Sequence, residues 1–359
     1  MNSTWTERLE TVLHQLAQHQ YPAAWEGLAE LERTHPQQPT VYQLQGNVLF
    51  ATQRYAQALE CYFKALALAP DNAHILADTG NTLHMLGRFA PAHTYLRAAL
   101  TWQLHAPRVI ASSPTPPSLP FYDLQAAEQC LWQVLAGLAQ AGIHAFATSG
   151  VLLGLVRQGG LLPFDKDLDI GIPANEARAA MEWLQQRGWR RTATPKGMTA
   201  PIMLHNAQGL ALDLCLFRVE ANTGQTIGGF WFNGVPEGWQ RITCYPTLEL
   251  HTTASPCGPV WTLREPERWL EALYGPDWRI PDPDFDTIIS AHNMRGFSLI
   301  TQCYALSRLY GHWLNRRYGK ALSIARACVR QLPNDFLLQH ILAHLQNQVA
   351  ATPCKVAST

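Results

Sequence analysis

Residues 165–169 read Asp-Lys-Asp-Leu-Asp, with carboxylates at every second position. Alternate side chains of an extended strand share a face, so Asp165, Asp167 and Asp169 would stand roughly 6.5–7 Å apart along it. Leu168, Ile170 and Ile172 take the opposite, apolar face. Carboxylates this close repel and raise one another's pKa unless a cation lies between them. Hard oxygen donors suit Mg²⁺ or Mn²⁺, which keep room for water and substrate phosphate. A second stretch, "GLALDLCLF", sets Leu210, Leu212, Leu214 and Leu216 against a face holding Ala211, Asp213 and Cys215. An aspartate in such a run is costly to bury unless it is paired or binds metal. With Asp213, the aspartates at Asp165, Asp167 and Asp169 give two adjacent strands the carboxylates to hold one or two divalent ions. The plainer alternative is a solvated strand edge. On two adjacent strands these aspartates suit phosphoryl displacement, where cations stabilise the attacking and leaving oxygens.

The surrounding elements have to bring these residues together. "IHAFATS" reads as a short buried strand broken by Ser149 and Gly150, and "VLLGLVRQ" starts a helix at the break. A helix N-terminus with a hydroxyl and free amides suits phosphate. Gly154, one turn on, permits close approach of a ligand or another backbone. Upstream, Leu124, Leu131, Val134, Leu135 and Leu138 have helical spacing, and Gly142 ends that helix. Segment 221–262 is rich in Gly, Thr and aromatics and predicts strands and loops around a pocket. Tyr274 and Trp278 read as core fillers in preference to base-stacking rings. His144, His205, His251 and His292 lack ligand spacing and read as structural or surface residues.

From about 121 to 285 the chain resembles the LicD and fukutin family of nucleotidyltransferase-fold enzymes. The residues that carry this are "SGVLLGLVRQGGLLPFDKDLDIGI", the later "LALDLCLF" and the closing "ERWLEALYGPDWRIP". Phe164-Asp165-Lys166-Asp167 and the preceding Ser-Gly resemble fukutin more than LicD, where Trp-Asp-Asp-Asp is usual. Val151 stands where members commonly carry threonine. The resemblance implies attack by a glycan hydroxyl on a CDP-linked donor, transfer of a ribitol-phosphate- or phosphocholine-like group, and release of CMP. It implies Asp167 and Asp169 as metal ligands, with Asp213 completing the site and able to act as general base. Ser149, Gly150 and Gly154 would form a phosphate-facing turn, and Arg157 and Lys166 would neutralise phosphate. Arg157 reads equally well as a surface ion pair, and strand alternation turns Lys166 away from the aspartates. Two other readings stand beside this one. The site could transfer NMP from an NTP, or the domain could be an inactive part of a repeat-based adaptor.

A 34-residue period precedes this region. Tyr21, Tyr55 and Phe89 keep that step, as do Ala24, Ala58 and Ala92, and Leu28, Tyr62 and Leu96. Offsets of +3, +7 and +10 from the aromatic line one helical face. Pro36 and Pro70 fall where the helix must stop. Residues 5–103 thereby resemble tetratricopeptide repeats, with Gly46 and Gly80 admitting close helix pairs and Thr40 with Gln43 fitting a capping box. Such repeats serve as a packing scaffold or hold a protein partner. Tyr318, Ala321, Ala325, Cys328 and Pro333 repeat the offsets far downstream, and this C-terminal pair is expected to dock on or cap the central domain.

The expected architecture is α+β: a nucleotidyltransferase-like mixed sheet with flanking helices, preceded by an all-α repeat domain and followed by a helical repeat. The expected boundaries are 1–103 for the repeats, 104–120 for a proline-rich linker and 121–285 for the enzyme-like domain. A helical segment at 286–348 and a tail at 349–359 complete the chain. Among 359 residues, Lys+Arg and Asp+Glu number 27 each, which argues against a general nucleic-acid binder. Eight scattered cysteines without a CxxC pair do not suggest a disulfide framework. With neither a signal-peptide pattern nor an apolar run of about 18 residues, a cytoplasmic protein without a membrane span is expected.

Overall fold

The computed structural model describes residues 4–106, 123–163 and 165–351. The expected linker and tail therefore lie mostly outside the described residues, as does Phe164. The chain divides into two compact units, one of residues 1–111, 302–325 and 334–359, the other of 112–301 and 326–333.

The first unit opens with α1 (Trp5–Ala17), α2 (Tyr21–Thr34), α3 (Pro39–Ala51), α4 (Tyr55–Leu68), α5 (Ala73–Met85) and α6 (Phe89–His105). Every second helix begins at the periodic aromatic. The +3 alanines and the +7 residues Leu28, Tyr62 and Leu96 are fully or almost fully buried. Pro36 and Pro70 stand two residues beyond the helices they end. The third repeat has Leu104 at the equivalent position, and α6 runs on to His105. A Cβ on Gly46 would lie 2.7 Å from Cδ1 of Tyr62, and one on Gly80 would lie 2.7 Å from Cγ of Leu96. Glycine against the +7 side chain is thus how each helix pair closes.

The Thr40–Gln43 capping box does not form. Pro39 opens α3, Gln38 caps it without a side-chain bond, and Thr40 lies inside the helix. Proline at the first helical position presets φ and has no N–H to satisfy, which replaces the cap. Gln43 Nε2 instead donates to Asp78 Oδ2 at 2.8 Å.

The second unit contains α7 (Leu124–Gln140), β1 (Phe146–Ala147), α8 (Ser149–Gln158), β2 (Asp167–Pro173), α9 (Ala177–Gln186), β3 (Arg190–Arg191) and β4 (Met198–Ala200). It continues with β5 (Ile202–His205), β6 (Ala211–Val219), β7 (Thr226–Phe232), β8 (Arg241–Tyr245), β9 (Leu250–Ser255), β10 (Gly258–Leu263) and α10 (Pro266–Tyr274). The main sheet runs β1-β2-β6-β5-β3, and β7 links β6 to β4 and β8. Only the β2–β6 pair is parallel among these pairings, so the sheet is mixed. Parallel neighbours require a crossover, and α9 lies in that connection. Leu131 and Leu135 of α7, Leu168 and Ile170 of β2, Leu212 and Leu214 of β6, and Trp269 of α10 share one core. Segment 221–262 supplies β7 to β10.

Three helices follow: α11 (Leu299–Leu314), α12 (Tyr318–Gln331) and α13 (Phe336–Ala351). The stacking partner of the returning chain in the first unit is the third repeat. Ser307 Oγ donates to Asn81 Oδ1 at 2.7 Å, and the Tyr304 ring meets His84 edge-on at 4.5 Å. Tyr310 OH and His74 Nδ1 are 3.2 Å apart. Arg97 grips Asp335 through both terminal nitrogens, at 2.5 and 3.1 Å. The helical array therefore resumes on α5 and α6 after an interruption that contains the mixed sheet.

Candidate active site

Strand register brings the distant aspartates together. The parallel β2–β6 ladder pairs Asp169 with Asp213, and Asp167 with Ala211. Paired residues on neighbouring strands are roughly 4.8 Å apart. Asp167, Asp169 and Asp213 are half-buried, whereas Leu168, Ile170, Leu212 and Leu214 behind them are sealed.

The strand-to-helix turn is built onto the same carboxylates. Thr148 N donates to the Asp169 carbonyl at 3.2 Å, which extends the β1–β2 pairing. Ser149 then adopts φ 45°, a left-handed conformation that costs a side-chain-bearing residue roughly 1–2 kcal/mol. This sharp reversal aims Gly150 N at Asp169 Oδ2, 3.2 Å away. A Cβ on Gly150 would collide with the Asp165 carboxylate, whose Cγ would be 3.0 Å from it. Asp165 therefore lies against the N-terminus of α8, where the helix dipole favours negative charge.

Asp165 is not on β2, contrary to the expectation of three aspartates along one strand face. Its amide donates to the Leu162 carbonyl at 3.1 Å, and this turn lifts it off the strand. Leaving the strand is what lets its carboxyl reach Gly150.

The cluster is electrostatically crowded. Burial and then Asp167 push Asp213 up to about 7. Burial and then Asp167 likewise push Asp165 up to about 7, against a lowering bond from the Lys166 amide. Asp169 is raised well above the usual carboxylate range by burial, then by Asp167, Asp165 and Asp213, with the Gly150 amide opposing. Cys215 follows Asp213 on its face of β6. Burial, then Asp169 and Asp213, raise its thiol far above the ordinary value, so it stays protonated. Beside it Gly171 leaves room for the Phe146 and Phe217 rings, which a Cβ would meet at 2.6 and 2.8 Å.

Other expected residues fall in varied places. Gly154 is buried, and a Cβ there would lie 2.5 Å from the Gly160 carbonyl and 3.1 Å from Leu162 N. Its missing side chain serves the packing of a backbone loop on α8, the second of the two reasons considered for it. The Lys166 side chain is exposed, while its amide donates to Asp165 Oδ1 at 3.2 Å. Arg157 is half-buried in the last turn of α8. Val151 is fully buried in the core, so its position does not face the cluster's open side.

Tyr274 packs against the core, as expected, and the aspartates also act on its phenol. It ends α10, which packs on α8, and its ring rests on Phe285 at 5.1 Å. Burial raises its phenol well above the ordinary value. Asp169 and then Asp165 add to this, and Arg157 opposes. The phenol therefore shares the electrostatic surroundings of the aspartates and Arg157. No local pattern marks this, because Tyr274 also fits the apolar stripe of α10. Trp278 is buried in the core. His144 Nδ1 pairs with Glu176 Oε1 at 2.6 Å, and His205 Nδ1 with Thr192 Oγ1 at 3.1 Å. Among the described residues, no group of three or more His, Cys, Asp or Glu side chains is placed to hold a metal ion.

Residues 142–234 match the family model "LicD/FKTN/FKRP, nucleotidyltransferase domain", and residues 46–87 match a TPR repeat. No curated protein matches the chain. Among solved structures, the lincosamide antibiotic adenylyltransferase LnuA with lincomycin bound is 14% identical, over 40% of this chain and 84% of that one, with TM-score 0.26. The antibiotic-resistance factor ANT(2'')-Ia in solution is 13% identical, over 64% and 96%, with TM-score 0.27. The same factor in complex with adenylyl-2''-tobramycin is 13% identical, over 57% and 98%, with TM-score 0.28. Likeness this slight carries no functional argument, and the family match spans the turn, both aspartate strands and the whole of β7. This chain thus joins a nucleotidyltransferase domain of the LicD/FKTN/FKRP family, a transferase domain, to tetratricopeptide repeats.

Proposed function

We propose that the domain is a divalent-cation-dependent transferase that moves a phospho-alcohol or phospho-sugar from a CDP-linked donor to a glycan hydroxyl. The observation that supports this reading most is the Asp169–Asp213 pairing across β2 and β6, with the Gly150 amide on Asp169 and Asp165 at the same helix N-terminus.

Carboxylate oxygens are the donors that Mg²⁺ or Mn²⁺ prefers. Burial and then Asp167 raise the carboxyls of both Asp169 and Asp213, which is the condition a hard cation relieves. They do not form a closed cage, and Mg²⁺ does not ask for one. It is commonly held by one or two carboxylates and completed by water and substrate phosphates. Asp167, Asp169 and Asp213 would hold the ion, with Asp165 beside them. When bound, the ion would supply charge neutralisation for phosphoryl oxygens.

The chain's own residues supply the rest. Ser149, half-exposed at the start of α8, offers a hydroxyl to phosphate where the buried Val151 cannot. Asp213 can accept the proton of the acceptor hydroxyl. Arg157 brings a fixed positive charge to the anionic donor, and Lys166 is exposed and free to reach the solvent side of it.

The test is CMP release from CDP-ribitol, CDP-choline and CDP-glycerol with Mg²⁺ or Mn²⁺. Release should fall by about a hundredfold or more in Asp169→Asn, the scale of losing a main electrostatic stabiliser. Diphosphate release from an NTP would favour NMP transfer instead, the reaction class named in the family description. No turnover, together with no calorimetric binding of Mn²⁺ or cytidine nucleotides at millimolar concentration, would favour the adaptor.

A further inference from the structure

The chain is neutral overall, yet its charge is segregated. Residues 301–359 hold seven Lys+Arg against a single Asp, so the first 300 residues carry the compensating acidic excess. That aspartate, Asp335, is already engaged by Arg97. Five of the seven basic residues gather on α12 and the turn before it. Ala321, Leu322, Ile324, Ala325, Ala327 and Cys328 are buried. Positions three and four apart share a helix face, so Gly319, Ser323, Arg326 and Arg330 form a stripe, with Lys320 at its edge. Arg326 and Arg330 are exposed, and Ser323 and Lys320 are half-buried. In the preceding turn Arg316 takes φ 55° and Arg317 follows it. Leu314, just ahead, is 43% exposed.

We infer that α12 and its leading turn are a docking surface for anionic phospholipid headgroups. Cations on a helix face attract an anionic bilayer additively. An exposed apolar side chain two and three residues ahead of the half-buried Arg316 and Arg317 suits the boundary between headgroups and acyl chains. A phosphate polymer would use the same cations but has no use for an exposed leucine at the tip. Among the described residues no helix is long and apolar enough to cross a membrane, and the exposed Arg326 and Arg330 would meet a bilayer from outside it. The inference does not depend on which donor the transferase site takes.

The full chain is sedimented with vesicles of phosphatidylcholine, with and without about one quarter phosphatidylglycerol. Binding is expected only to the anionic vesicles, and it should weaken steeply between about 0.05 and 0.5 M salt as the charges are screened. R326S with R330S should weaken it about tenfold or more, and Leu314→Ser should weaken it further. Both substitutions are on exposed positions, and unchanged melting temperatures would show that the fold is retained. Lys64→Ser, in the repeats, should leave binding unchanged. Equal binding to neutral vesicles, no binding, or indifference to R326S/R330S would overturn the inference. So would displacement from the vesicles by equimolar polyphosphate or duplex DNA with Leu314→Ser silent, since the surface would then read phosphate polymers.

Discussion

Asp213 and Asp165 are both held near 7, far above the ordinary aspartate value of 3.8. A folded-state pKa above the unfolded one means the native protein binds extra protons between those values. Stability from these groups is therefore complete below about 3.8 and is lost as pH rises through about 7. In the presence of a chelator the melting temperature should fall across that window, and added Mn²⁺ should restore it. Asp213→Asn should flatten the fall while abolishing turnover, and a melting curve as steep as the parent's would rule out the repulsion. The alternation around 167–172 and 210–216 made the aspartate strands legible in the sequence. The Asp165 contact with Gly150 was not, because it depends on the Asp165 amide bonding back to the Leu162 carbonyl, off the strand. Tyr274 read as core from its spacing and packs there, while the pull of the aspartates on its phenol leaves no local pattern.

The helices obey a different arithmetic. Their 34-residue step was readable because each repeat must bury the same three positions. Thr40 and Gln43 match the capping-box pattern without forming one, because Pro39 makes the cap unnecessary. Gly46 is the sharper signal, since Tyr62 fills the space a side chain would need. Gly46→Leu should destabilise the repeats by about 2–3 kcal/mol through overpacking, read from denaturant midpoints. His84 acts in the opposite pH direction to the aspartates. Burial lowers it from 6.5 to about 4, its Nε2 is buried without a hydrogen-bond partner, and it lies between Phe89 and Tyr304. The unfolded chain binds the extra proton here, so stability is full above 6.5 and is lost as pH falls towards 4. The loss is on the order of 3 kcal/mol. His84→Phe should remove that acid sensitivity, as followed by helical circular dichroism between pH 7 and 4.

At the scale of the whole molecule, the period continues where the sequence had only a weak fourth match. Tyr318 to Pro333 matched in spacing, but nothing local said that this chain would return to α5 and α6. The contacts that fix it pair residues more than two hundred positions apart, such as Asn81 with Ser307. Asp335 both receives Arg97 and accepts from Leu338 N at 3.2 Å, which anchors α13. Asp335→Ala should therefore cost about 1–3 kcal/mol and speed proteolysis within 334–351. Digestion with a limiting protease would show it, and unchanged cleavage would mean that other contacts hold the helix.

The same interruption sets a schedule for synthesis. α6 ends at His105, and α11 does not begin until Leu299. At ~5–20 residues per second, the ribosome needs on the order of ten to forty seconds to make what lies between. Throughout that interval the newborn third repeat has no Tyr304 over His84 and no Asp335 for Arg97. Its apolar flank is then open to other nascent chains, and a slowed ribosome would lengthen the hazard without altering one residue.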